Sequence, residues 1–309
     1  MAGGGGRVNL NERWACGNFG ERALGRWTGA GKRGMPGALP IPFRQMIRCV
    51  PALVVVLCGG CSPLARSAPG PAVVVDTPAP PVPPAAAPQL TRAECGGILL
   101  EGVAFDGRTH RLVVADQAGG PGSRWADAAA AVAAHGALAG INAGFFTPEG
   151  TPLGKVVAAG VAAGAWNRAS SLGSAVWWES ATGSAAISRR EAVPAATPAR
   201  ELLQAGPLLV EHGQAVAGLE AQKSSVRSLL LWDGGSRWWF GRAAACTLAE
   251  LGRSLAAESP AGWPVRVALN LDGGRSADLA VTAAVAGGPC VRRAPWNRPV
   301  RNFLLLVPR

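Results

Sequence analysis

The residues best suited to chemistry lie in Leu269-Asn270-Leu271-Asp272-Gly273-Gly274-Arg275-Ser276. Val265, Val267, Leu269 and Leu271 alternate with other residues, so the run before Asp272 predicts a half-buried strand. Asp272 therefore leaves an apolar strand straight into two glycines and a hydroxyl. Without a Cβ, Gly273 and Gly274 let backbone N–H groups approach a ligand closely. A carboxylate so placed could act as a base, act as a nucleophile, or hold a divalent cation, calcium or magnesium. A tight turn after a core strand can read the same way, so the motif needs companions.

Three further segments supply them: Asn142-Ala143-Gly144-Phe145-Phe146 with Pro152-Leu153-Gly154 after it, then Gln204-Ala205-Gly206-Pro207, then Arg227 at a strand opening. The closing Arg298-Pro299-Val300-Arg301-Asn302 also fits. Together and in this order they resemble the phosphodiester glycosidase family over roughly residues 95–309. This family includes the lysosomal enzyme that removes N-acetylglucosamine from a phosphodiester. The resemblance implies an enzyme that breaks the bond between a sugar and a phosphodiester oxygen. Two positions depart from the family pattern: Arg275 stands where a third glycine is usual, and Ala277 where a second serine is. Arg275 either adds a phosphate contact or signals an altered activity.

Glycoside hydrolases ordinarily use two carboxylates, and only Asp272 lies in a strong motif. Glu149 and Asp233 sit in turns, where acidic residues are common. A phosphate leaving group eases the difficulty, because it needs charge stabilisation more than a proton. On this reading Asp272 is the catalytic or cation-holding carboxylate and Arg227 clamps the phosphate. Asn142 orients a hydroxyl or the loop itself. Gly273, Gly274, Ser276, Lys155, Arg275 and Gly206 are the substrate-binding candidates, through backbone or side-chain donors. Plainer roles stand beside these: an ion pair for Arg227, a self-satisfied turn for Asn142, a solvated charge for Lys155, a turn cap for Ser276, and core packing for Phe145 and Phe146. The one cofactor candidate is a divalent cation, calcium or magnesium, held by Asp272. Two other functions compete, a surface lipoprotein that binds anionic glycans without turnover and a metal-dependent phosphodiesterase.

The elements that must position these residues are mostly strands. Short strands are expected at 111–115, 156–161 and 175–178, in the broken apolar stretch 201–210, and at 278–285 and 303–307. Asp233-Gly234-Gly235 between 228–232 and 237–240 predicts a hairpin. Residues 125–134 are Ala-rich and read as a helix. Thr247-Leu248-Ala249-Glu250 is a capping box opening a second, with Leu248, Leu251 and Leu255 at helical spacing. The expected class is mixed α/β (α+β), a layered strand-rich single domain with a few flanking helices. Trp177-Trp178 and Trp238-Trp239 fall on strands, so one member of each pair is expected to face outward.

Residues 1–45 are Arg- and Gly-rich without period and read as lying outside the fold, ahead of a second start at Met46. Residues 46–61 combine a basic residue, an apolar run and a small-residue zone, as a signal peptide does. Cys61 after two glycines is a candidate for lipidation. Residues 62–90 are Pro- and Ala-rich and read as an extended tether, leaving 91–309 as the domain. The expected location is the periplasm or cell envelope, with the membrane as partner through a lipid anchor and a carbohydrate phosphodiester as substrate. The net charge of +11 does not argue for nucleic acid, because residues 1–61 carry +6 of it and the remainder is scattered. Cys95, Cys246 and Cys290 could form one disulfide at most. His110, His135 and His212 have no ligand spacing.

Overall fold

A computed structural model describes residues 85–309. The readings of residues 1–61, with Cys61, and of most of the tether lie outside the described residues. Gln89–Cys95 (β1) and Ile98–Asp106 (β2) form an antiparallel hairpin turned by Gly96 and Gly97, at φ 53° and 80°. β1 thus begins two residues inside the stretch read as a tether. Pro88 is held too, its carbonyl accepting from the Ala286 N–H at 3.2 Å.

β1 and β2 start a seven-stranded sheet. It continues through Arg237–Cys246 (β13), Ser225–Trp232 (β12), Val267–Asn270 (β14), Leu208–Glu211 (β10) and Gln214–Ala215 (β11). A five-stranded sheet orders Cys290–Arg292 (β16), Leu279–Val281 (β15), Ala139–Asn142 (β4), Asn302–Pro308 (β17) and His110–Asp116 (β3). A third orders Val161–Ala163 (β6), Val156–Ala158 (β5), Glu201–Ala205 (β9), Ala175–Glu179 (β7) and Ala185–Arg189 (β8). The main core draws from all three, with Val103, Phe240, Leu230, Ile141, Leu304, Leu203 and Trp177 among its residues. The architecture is therefore mostly β, which corrects the mixed α/β expectation while keeping its layered, strand-rich character.

Two α-helices flank the sheets among the described residues. Ala128–His135 (α1) starts at Asp127, whose carboxylate accepts from the Ala130 N–H, and ends on Gly136 at φ 58°. Leu248–Ala257 (α2) has the expected capping box between Thr247 and Glu250. It buries Leu251 and Leu255 against the opposite face of the seven-stranded sheet, in a second core with Leu209, Leu229 and Trp239. That second layer corrects one tryptophan expectation. Trp238 and Trp239 are both buried, because β13 is covered on both faces. Trp177 is buried and Trp178 half-buried, as alternation predicts. Cys95, Cys246 and Cys290 are buried free thiols.

Candidate active site

Three strands converge at one place. β4 ends at Asn142, β14 runs into Leu271 and Asp272, and β12 carries Ser228 within its first half. Asn142 is fully buried, and both the nitrogen and the oxygen of its amide are engaged. Its Nδ2 donates to the Asp272 carbonyl, while its Oδ1 accepts from Ser228 Oγ at 2.7 Å and from the Asp278 N–H at 3.0 Å. Backbone bonds reinforce this staple: Asp272 N–H to Ala143 O at 2.9 Å, and Asn142 N–H to Asp278 O at 3.0 Å. Asn142 thus joins two sheets and fixes both ends of the 272–278 loop.

Asp272 is 8% exposed. Burial pushes its carboxyl up from 3.8 to about 6, against the opposing pull of the Ser276 hydroxyl, Arg298 and the Gly273 N–H. Gly273 lies so close to β12 that a Cβ there would come within 2.6 Å of the Val226 carbonyl oxygen, and Gly274 adopts φ 59°. Residues 274–276 form one 3-10 turn that brings buried Ser276 beneath the carboxylate. Arg298 Nη2 stands 4.0 Å from Asp272 Oδ2, and its Nε donates to Ser276 Oγ at 3.3 Å. Its guanidinium lies over the Phe146 ring, 4.9 Å from the centroid. Nearby Phe145 and Phe146 are half-buried.

The structure therefore brings together Asp272, Gly273, Gly274, Ser276 and, behind them, Asn142. It sends Arg227 elsewhere. The Arg227 guanidinium donates to the Cys246 carbonyl at 3.1 Å and the Lys223 carbonyl at 2.6 Å, with Glu220 at 4.0 Å. Strand parity explains this: Ser228, not Arg227, shares the face of Leu230 that looks toward Asn142. Lys155 donates its Nζ to the Ala195 carbonyl at 2.7 Å. Gly206 packs where a Cβ would meet Ser171 O at 2.5 Å, and its carbonyl accepts from Asn270 Nδ2 at 2.9 Å. Both are committed to local structure. Arg275 is exposed and donates from Nε to Trp296 O at 3.1 Å, and Ala277 is buried. Glu149 is exposed, and Asp233 pairs with Arg237 at 2.7 Å within its hairpin turn.

The cation missed as a site residue is Arg298. Its only sequence signal was its place in the closing motif, 26 residues from Asp272. A calcium or magnesium ion at Asp272 would need several oxygen ligands. Among the described residues no three His, Cys, Asp or Glu side chains gather for a metal, and Asp272 faces a guanidinium instead. The donor set does not fit a divalent cation.

A carboxylate held near pKa 6 beside a guanidinium, at a strand end shaped by glycines, is what the 272–298 region defines. More than half of the chain, residues 135–307, matches the family described as phosphodiester glycosidase, and the chain belongs to that family. Its fold is similar to that of the zebrafish N-acetylglucosamine-1-phosphodiester alpha-N-acetylglucosaminidase catalytic domain, a structure auto-inhibited by its pro-peptide. The identity is 16%, over 74% of this chain and 85% of that one, with a TM-score of 0.52. A Synechocystis protein is 16% identical over 74% of this chain and 64% of that one, with a TM-score of 0.47. Comparison with curated proteins gives no match.

Proposed function

We propose that this protein hydrolyses sugar-1-phosphodiesters at the bond between the anomeric carbon and the phosphodiester oxygen. The observation that carries the reading is the pair Asp272 and Arg298: a desolvated carboxylate with one guanidinium and no second carboxylate in its motif. With a pKa near 6, Asp272 is ionised at neutral pH and still basic enough to take a proton from water. Water attacks the anomeric carbon, its proton passes to Asp272, and the C–O bond electrons leave with the phosphate. The departing phosphate monoester needs no proton. Arg298 and the Gly274 N–H stabilise its growing charge. Ser276 holds both Asp272 and Arg298 in register, and Asn142 holds the loop.

The substrate class is a glycan of the cell envelope. The support is the signal-like segment 46–61, with Cys61 as anchor and the Pro- and Ala-rich stretch after it as tether. Among the described residues no helix is long and apolar enough to cross a membrane.

The full chain and its Asp272→Asn variant, incubated with a panel of sugar-1-phosphodiesters in ¹⁸O-water, test the reaction. Free sugar carrying the label, released by the parent alone, is the expected result. Label in the phosphate would show P–O cleavage and overturn the assignment. No release by folded parent from any substrate would leave glycan binding as the function.

A further inference from the structure

A polar row crosses four strands of the seven-stranded sheet. Arg92 on β1 lies opposite Glu101 on β2, Glu101 opposite Arg242 on β13, and Arg242 opposite Ser228 on β12. Parity puts the row on the face that carries Leu90, Val103, Phe240 and Leu230, which looks into the main core. Its inner end is the Ser228 hydroxyl that holds Asn142. Its outer end is met by Cys290 and Arg292 of β16: Cys290 Sγ lies 3.5 Å from Glu101 Oε1, and Arg292 Nη2 donates to the same oxygen at 3.0 Å.

The charges in this row do not balance. Glu101 serves two guanidiniums, Arg92 and Arg292. Asp278 is committed through Oδ2 to Arg293 at 2.7 Å and to the Ala128 N–H at 2.9 Å. Arg242 lies between these carboxylates with no ion pair and no hydrogen bond, and its Nε is sealed from solvent without an acceptor. Asp278 Oδ1 is likewise buried and unpaired. An arginine cannot shed its proton to escape burial, as a lysine can. A half-buried guanidinium with a sealed, unused Nε–H is the first half of a binding site, and an oxyanion is the chemistry that completes it. Arg92 and Arg292 keep exposed side chains at the rim, so the row is open to a ligand from outside.

We propose that Arg242, with Arg92 and Arg292, forms an oxyanion subsite separate from Asp272. The Leu271 N–H donates to the Ser228 carbonyl of β12, so Arg242 lies two strand spacings from the reacting carboxylate's strand, about 10 Å. If the proposed reaction holds, the occupant is a second phosphate of the same glycan. The substrate is then a polyanionic polymer of sugar phosphates, not a single capped phosphodiester.

Inorganic phosphate, titrated calorimetrically into the full chain at constant ionic strength, tests the subsite. Parent, Arg242→Met, Arg242→Lys and Asp272→Asn are compared, each checked for folding by its melting curve. The expected result is saturable phosphate binding by the parent, weakened about tenfold or more in Arg242→Met and less in Arg242→Lys. Asp272→Asn should retain it within about twofold. If Arg242→Met does not fold, Arg242→Lys and Arg292→Met carry the comparison. Equal phosphate affinity in parent and Arg242 variants overturns the subsite, as does an absence of binding by folded parent. A substrate arm reads its use: Arg242→Met should raise KM for a two-phosphate glycan and leave a one-phosphate substrate unchanged. Because the titration needs no turnover, Arg242-dependent phosphate binding without any hydrolysis would sink the glycosidase reading and leave the subsite standing.

Discussion

Replacing Asp272 by Asn removes a buried charge while keeping the shape of the side chain. The ordinary carboxyl value of 3.8 rises to about 6 in the fold, chiefly by desolvation. That difference favours the neutral acid by about 3 kcal/mol. A raised folded pKa contributes stability that is fully present below the unfolded value. It is lost progressively as pH rises from about 3.8 to about 6 and is flat above that. The Asn variant does not titrate. Its unfolding free energy, measured against the parent's, should therefore gain about 3 kcal/mol between acid and alkaline pH, or about 6–12 °C in Tm for a domain of this size. Glu201 and Asp278, whose carboxyls burial also raises, are present in both proteins and cancel in the difference. Urea unfolding followed by tryptophan fluorescence, at steps from about pH 4 to pH 8, gives the quantity directly. A stability difference that does not change with pH would refute the desolvation argument. A variant that loses ground as pH rises would show that Arg298 and Ser276 stabilise the carboxylate more than burial penalises it.

Other outcomes follow from the same geometry. Because Asp272 must be ionised to accept a proton, kcat/KM should rise with pH through about 6, and a profile that falls there would make the group an acid. Arg298→Ala should lower kcat by about a hundredfold in steady-state assays. Arg227→Ala should leave kcat within about twofold and cost about 2 kcal/mol of stability through its two lost carbonyl contacts. Asn142→Ala strands the Asp272 carbonyl, the Ser228 hydroxyl and the Asp278 N–H, and should cost about 4 kcal/mol by chemical denaturation. Gly273→Ala drives a Cβ to within 2.6 Å of Val226 O. It should lower stability by about 2 kcal/mol together with activity.

Much of the scaffold was legible because local chemistry decides it. The Asp233-Gly234-Gly235 turn and the Thr247–Glu250 capping box are each specified by a few adjacent residues, and both form as expected. The β1–β2 hairpin carried an equally local signal in Gly96-Gly97 that was not read as one. Trp239 was misjudged for a different reason: alternation marks one buried face, and β13 has two. In the site, the Asp272 loop and Asn142 announce themselves through glycines and a polar residue at apolar strand ends. The partnership of Asp272 with Arg298 has no such mark, since it depends on β17 returning beside β4. The direction of Arg227 is legible by parity, because Ser228 and Leu230 share one face and Arg227 must point the other way, whereas the motif alone carries no direction.

The Asn142 staple ties the working loop to two sheets at once, so this site has no hinge of its own. Loosening the carboxylate means parting the sheets, and parting the sheets is unfolding. The amide protons of Asn142, Asp272 and Asp278 should then exchange with deuterated solvent only at the rate of whole-domain opening. Heat inactivation and melting should run as one curve, with no temperature range in which the protein is folded but its active centre has come apart.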